Sequence, residues 1–276
     1  MILSIEGEEK SGKTTLAYTA PLPIVGFSLD MGTERAIYGA KYPEFFDGLK
    51  IRTEHYKRGD KPDLNNPAWV GQDITIFEIP MPIQLDNMHL VGNIEAWEYF
   101  FLLFYRAIES GVRTIVIDTM TLVRRLKAES YLQELQEGSK GRPRKQLIQI
   151  EYGPVNDAIR SIYSHCKNEG VDLIAIHHLT DEYRQTLDSN GMITSAATGN
   201  RVLEGLTGTH RNVDVALRLE KIKGQGIVGK MVNCGPNLDL EDIPIANPSW
   251  DKIVTMISQS IGGRIDFRKR NGHGGK

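Results

Sequence analysis

Cysteine is nearly absent from this chain: Cys166 and Cys234 are the only two among 276 residues. Neither belongs to a CxxC pair or to a paired-histidine spacing, which excludes a disulfide framework and a structural zinc module. An excess of one charge is also missing. Thirty-three Lys and Arg stand against 35 Asp and Glu, leaving a net charge of −2. That balance excludes a uniformly basic nucleic-acid coat but leaves room for local basic patches. Long apolar runs are lacking too. The best candidate, residues 100–105, is a short FFLLFY stretch beside Glu98 and Arg106, against the roughly 20 residues needed to cross a bilayer. No membrane partner is expected. No signal peptide is expected either, because residues 2–6 already read as a strand, so the cytoplasm is the predicted location.

What is present is ordinary globular material, 40% hydrophobic and 25% charged. The length fits one α/β domain, predicted over residues 1–262. Strands are expected at 1–6, 23–29, 74–79, 114–117, 171–176, 213–219 and 227–232. Helices are expected at 15–20, 33–42, 94–110, 122–136, 153–168 and 247–261. Residues 52–92, rich in Gly, Pro, Asn and Asp, read as an insertion. Residues 263–276 read as a flexible basic tail carrying Arg264, Arg268, Lys269 and Arg270. Alternation of strands and helices predicts a mostly parallel sheet with helices on both faces.

The strand ends carry the chemistry. Gly7-Glu8-Glu9-Lys10-Ser11-Gly12-Lys13-Thr14 matches GxxxxGK[ST], with a strand before it and a helix after it, from Thr15 onward. Glycines let backbone N–H groups converge on phosphate oxygens. Lys13 would reach the β- and γ-phosphates of ATP, and the Thr14 hydroxyl would ligate Mg²⁺. The apolar strand before Asp118 delivers a carboxylate to its C-terminal end, where ligands bind in open α/β sheets. Asp118 is therefore the second predicted magnesium ligand. Asp30 and Glu34, after the second strand, are the candidates to orient or deprotonate the attacking water. His177 and His178 end another buried strand. Successive strand side chains face opposite ways, and His178 is the one expected to face the nucleotide.

In the order of these elements the chain resembles the RecA-like P-loop NTPase core: phosphate loop, acidic strand end, aspartate strand, polar sensor strand and mobile loop. It is most similar to the small RecA-like ATPases of phages, AAA-type nucleotide-binding proteins some of which act as single-strand annealing recombinases. The residues that carry this are the early phosphate loop, residues 113–119 (RTIVIDT), Tyr152-Gly153 before a helix, and the strand ending in histidine. The resemblance covers most of residues 1–35 and 94–220. One departure is Gly32, where RecA-like enzymes usually carry a glutamate. Another is the absence of an N-terminal domain ahead of the first strand, so any assembly is expected to use other surfaces.

The resemblance implies an ATP-dependent recombination or annealing ATPase acting on single-stranded DNA, in the host cytoplasm if phage-encoded. Its partners would include a single-strand-binding protein and further copies of the chain in a ring or filament. It also implies that a basic loop at 138–145 and a polar segment at 181–209 face DNA. Lys140, Arg142, Arg144 and Lys145 would track phosphates from the first, and Arg184 and Arg201 from the second. A cation passed to the neighbouring subunit's γ-phosphate is expected among Arg211, Arg218, Lys221 and Lys223, with Arg211 preferred. Two alternatives use the same core: a helicase loader or replicative motor, and a nucleotide-gated scaffold with little turnover.

Overall fold

The computed structural model describes residues 1–39, 43–84, 89–139, 144–187, 192–206, 208–224 and 226–263. Lys140, Arg142 and the basic residues of the C-terminal tail lie outside the described residues. Eleven strands and six α-helices are described. The strands are β1 (Ile2–Gly7), β2 (Ile24–Ser28), β3 (Ile51–His55), β4 (Ile74–Glu78), β5 (Thr114–Asp118), β6 (Asp172–His177), β7 (Leu179–Leu187), β8 (Ile193–Leu203), β9 (Val215–Ile222), β10 (Gly226–Cys234) and β11 (Pro244–Ala246). The helices are α1 (Lys13–Ala17), α2 (Thr33–Tyr38), α3 (Asn93–Glu109), α4 (Met120–Glu137), α5 (Tyr152–Glu169) and α6 (Trp250–Ser260).

Nine strands form one sheet in the order β11-β10-β9-β1-β6-β5-β2-β4-β3. Every described pairing from β9 to β3 is parallel, and β10 alone runs against its neighbours. The central strands β1, β2, β4, β5 and β6 are buried along their whole length. That is why they read in the sequence as mostly apolar runs with no in–out alternation, as strands covered on both faces do. The outer strand β3 mixes exposed and half-buried residues.

Two apolar layers clasp the sheet. On one face Phe27, Phe77, Ile117 and Ala175 meet Phe100 and Phe104 of α3, Val123 of α4 and Ile162 of α5. On the other, Ile5, Val116 and Leu217 meet Leu16 of α1, Ile37 of α2 and Ile253 of α6. The architecture is the α/β P-loop NTPase core expected from the sequence. Within residues 52–92, read as an insertion, the sheet takes most of β3 and all of β4, which pairs with β2 from Ile24↔Ile74 to Ser28↔Glu78. The polar segment after β6 is a two-stranded antiparallel hairpin, β7 with β8, outside the main sheet. Its described side chains are mostly exposed, Tyr183 among them.

Candidate functional site

The phosphate-loop segment turns tightly between β1 and α1, and its glycines have steric reasons to be there. A Cβ on Gly7 would stand 2.6 Å from the Leu219 carbonyl oxygen and 2.8 Å from Ser11 Oγ. One on Gly12, whose φ is +86°, would stand 2.5 Å from Ile227 Cδ1. Lys10 also adopts a left-handed conformation, at φ 57°, so several N–H groups of one short loop are redirected. Lys13 folds back over this loop and donates to the carbonyls of Gly7 (2.8 Å) and Glu8 (2.7 Å). Burial pushes its amine below the ordinary lysine range, opposed by Asp118, Glu8, Asp30 and Glu9. Glu8, Glu9 and Lys10 are exposed; Gly12, Thr14 and Thr15 are half-buried. The Ser11 hydroxyl is buried without a partner among the described residues.

Asp118 ends β5 in register with Ser28 of β2. Its Oδ2 accepts from the Thr14 hydroxyl at 2.7 Å and from Thr33 at 3.4 Å. The carboxyl is pushed up to about 7, first by burial and then by the charge of Asp30, against Thr14, Lys13 and Thr33. A buried carboxylate facing a hydroxyl is a hard-oxygen donor set of the kind Mg²⁺ takes, together with waters and substrate phosphates. No cluster of three or more His, Cys, Asp or Glu is placed to hold a metal among the described residues. None is needed where phosphates complete the shell.

Asp30 is exposed and close enough to Lys13 and Asp118 to act on both electrostatically. Its Oδ1 accepts from the Gly32 N–H at 3.0 Å and from Ser28 at 3.4 Å, so it also shapes the turn into α2. Glu34 sits half-buried in the first turn of α2.

The two histidines part as strand alternation requires. His177 is buried, its Nε2 lies 3.3 Å from the Tyr163 hydroxyl, and burial lowers it to about 4. His178 is half-exposed just beyond β6, and its N–H donates to Thr121 Oγ1 at 3.3 Å. Beside the phosphate loop, Glu6 stands in register with His177 on one side and Arg218 on the other. Arg218 grips Glu6 Oε1 through Nε (2.7 Å) and Nη2 (2.6 Å). Burial would raise Glu6, but His210 and Arg218 outweigh it and hold the carboxyl below its usual range.

The basic residues divide by their partners. Arg144 is forked onto Glu151, with Nη1 at 2.7 Å from Oε1, while Lys145 is exposed. Arg184 is 70% exposed on the hairpin, 3.5 Å from Glu182. Arg201 instead turns inward, to Glu8 (3.5 Å), Asp181 (3.4 Å) and the Leu179 carbonyl (2.9 Å). Arg218 is committed to Glu6 within its own chain, and Arg211 is exposed in the turn before β9.

Sequence reasoning passed over Thr33, Ile227 and Tyr18. Thr33 could have been noticed as a hydroxyl beside the acidic turn. Ile227 and Tyr18 meet the site only through pairing and packing across the chain, and no local pattern marks them. The Tyr18 hydroxyl is buried on β2, where a Cβ on Gly26 would be 1.8 Å away. Burial and the charges of Asp118, Asp30 and Glu78 raise it well above its ordinary value.

A family model described as AAA domain matches residues 1–234, most of the 276-residue chain. No curated protein matches it. No helix among the described residues is long and apolar enough to cross a membrane. The chain belongs to the AAA domain family, and is an AAA-type P-loop ATPase.

Proposed function

We propose that this member of the AAA domain family hydrolyses ATP to ADP and phosphate at the loop Gly7-to-Thr15, and that it does so on single-stranded DNA in recombination or annealing. The observation that carries the ATP site is the meeting of Lys13 and Thr14 with Asp118. The phosphate loop and the end of β5 come together across 2.7 Å at the C-terminal edge of a parallel sheet. The residues fit a triphosphate with its cation. The loop has no room for side chains at Gly7 and Gly12. A buried Ser11 hydroxyl lacks a partner among the described residues, and the Asp118 carboxyl, raised by burial and by the charge of Asp30, stands against the Thr14 hydroxyl. Thr14 and Asp118 would hold Mg²⁺, which would supply neutralisation of phosphate charge there.

The protein's part is positioning and electrostatics. Lys13 releases the Gly7 and Glu8 carbonyls and turns its ammonium to the β- and γ-phosphate oxygens. Water attacks the γ-phosphorus, the bond to the ADP oxygen breaks, and the proton leaves to a carboxylate. Asp30 is our first assignment for that carboxylate, because its charge already reaches both Lys13 and Asp118. Glu34 is the second. His178, at the end of β6, senses the γ-phosphate. Arg211, exposed before β9, is the cation offered to a neighbouring copy in a ring or filament.

The DNA reading rests on the hairpin β7–β8, an exposed arm carrying Arg184, and on Lys145, exposed in the basic segment after α4. Phosphate tracking needs such unburied cations, and a single-strand-binding protein is the natural accessory. A scaffold with slow turnover is the second reading, favoured by Gly32 where a glutamate usually stands.

ATP turnover by the unaltered chain and by Lys13→Ala, each with and without single-stranded DNA, tests this. We expect stimulation by DNA that vanishes in the variant. Turnover indifferent to DNA removes the recombination reading, and binding without turnover leaves the scaffold.

A further inference from the structure

The phosphate loop contains two glutamates, Glu8 and Glu9, although its ligand is a polyanion. Glu8 does not stand alone. The Arg201 guanidinium lies 3.5 Å from its Oε1 and comes from β8, nearly 200 positions later in the chain. The same guanidinium touches Asp181 (3.4 Å), its register partner on β7, and donates to the Leu179 carbonyl at 2.9 Å. Arg201 is thus the point where the foot of the hairpin meets the phosphate loop.

That foot is stitched to the aspartate strand as well. The Glu204 N–H donates to the His178 carbonyl at 2.9 Å, closing the two legs together. Thr121, in the first turn of α4 and three residues beyond Asp118, receives the His178 N–H at 3.3 Å and donates to the Glu204 carbonyl at 3.1 Å. The hairpin therefore has a fixed root under the magnesium-binding segment and a lighter attachment to the loop. Exposed ion pairs of this kind are weak and easily exchanged. Arg201 is 43% exposed and Glu8 60%.

We propose that Arg201 is a nucleotide-sensing cation of this same site, whose partner alternates between Glu8 in the empty loop and the terminal phosphate in the ATP-bound one. The inference rests on the ATP reading above. Glu8 is repelled by arriving phosphate charge, and its own carbonyl is released as Lys13 leaves it. The planar guanidinium freed from Glu8 finds in the γ-phosphate a pair of oxygens that can accept from it bidentately, at higher charge than a carboxylate. The pull is transmitted through the Asp181 and Leu179 contacts to the arm. Its outward residues, Arg184 among them, are then presented differently in the two states. Arg201 accordingly reports on the γ-phosphate, and DNA phosphates are left to Arg184.

The test is calorimetric titration of ATP and of ADP, with magnesium, into the unaltered chain, Arg201→Gln and Glu8→Gln. Hydrogen exchange over residues 179–187 and 193–203 is followed in each state. We expect Arg201→Gln to lose about tenfold in ATP affinity, the worth of a charge-assisted hydrogen bond, with ADP affinity held. Glu8→Gln should tighten ATP relative to ADP. Exchange in the hairpin should differ between the ATP and ADP states of the unaltered chain and become identical in Arg201→Gln. Equal losses for the two nucleotides, or no loss for either, overturn the assignment. If the unaltered chain binds neither nucleotide, the ATP reading falls and takes this one with it. Binding of both with no discrimination by Arg201 sinks this inference alone.

Discussion

Ile227 closes over Gly12: its Cδ1 lies 2.5 Å from where a Gly12 Cβ would be. The start of β10 thereby reaches the phosphate loop from far along the sequence. Gly12→Ala is expected to lose at least about tenfold in nucleotide affinity, because an alanine meets both that methyl and a φ of +86°. Adding Ile227→Ala should recover part of the loss but not all, since the backbone strain remains. Full recovery, measured by titration calorimetry, would show that crowding alone dictates the glycine.

Asp118 makes the empty site sensitive to pH. Its carboxyl is raised to about 7 by burial and by Asp30, above its value in an unfolded chain, so the folded state binds the proton more tightly. The stability this contributes is fully present below about pH 4 and is lost as pH rises through about 7. Asp118→Asn should therefore stabilise the nucleotide-free protein by about 3–4 kcal/mol at pH 8 and by almost nothing at pH 4. Denaturant melts at both values check it. A gain independent of pH would mean that the carboxyl is not the origin.

Arg218→Ala removes the fork that holds Glu6, which is wholly buried. A buried carboxylate stripped of its partner costs about 3–5 kcal/mol; the partial exposure of Arg218 and the His210 that remains 3.6 Å from Glu6 Oε2 reduce this to roughly 2–4. The double variant Glu6→Gln with Arg218→Met should regain most of that stability. Glu6 is held low in the fold, so the pair stabilises above the ordinary glutamate range and its worth fades as pH falls through the depressed value. A denaturant midpoint unchanged in Arg218→Ala at neutral pH would refute the role.

Gly26 lies under Tyr18, where an added methyl would overlap the hydroxyl at 1.8 Å. Gly26→Ala should lower the thermal midpoint through overpacking of about 1–3 kcal/mol. Tyr18→Phe on top of it should give some back, because the overlapping oxygen is gone. Loss unrelieved by Tyr18→Phe would place the strain in the β2 backbone instead.

The centre of the fold was legible because each of its strands is buried on both sides. The apolar runs at 2–5, 114–117 and 172–176 could be nothing else once a phosphate loop and a carboxylate followed them. The edge was not. β3, Ile51–His55, is short, with no fully buried residue to mark it, and its pairing with β4 depends on partners more than 20 positions away. The segment at 181–209 reads as a loop since polar residues dominate it and its few apolar ones are too sparse to draw a period-two stripe. Register alone makes it a hairpin. In the site, Lys13, Thr14 and Asp118 came from local pattern. Arg201 read as one more exposed cation, because its tie to Glu8 crosses the whole chain.

β1 lies between β6 and β9, paired Ile2↔Leu173 on one side and Leu3↔Val215 on the other. A ribosome makes this strand well before either of its neighbours. At about 5–20 residues per second, the nascent chain carries the complete phosphate-loop sequence for roughly 10–40 s before Leu219 and Ile227 emerge to enclose it. Throughout that interval the motif is present as text and absent as a site. A ribosome-stalled fragment ending before β9 should therefore contain every residue of the loop and yet have no walls for a nucleotide.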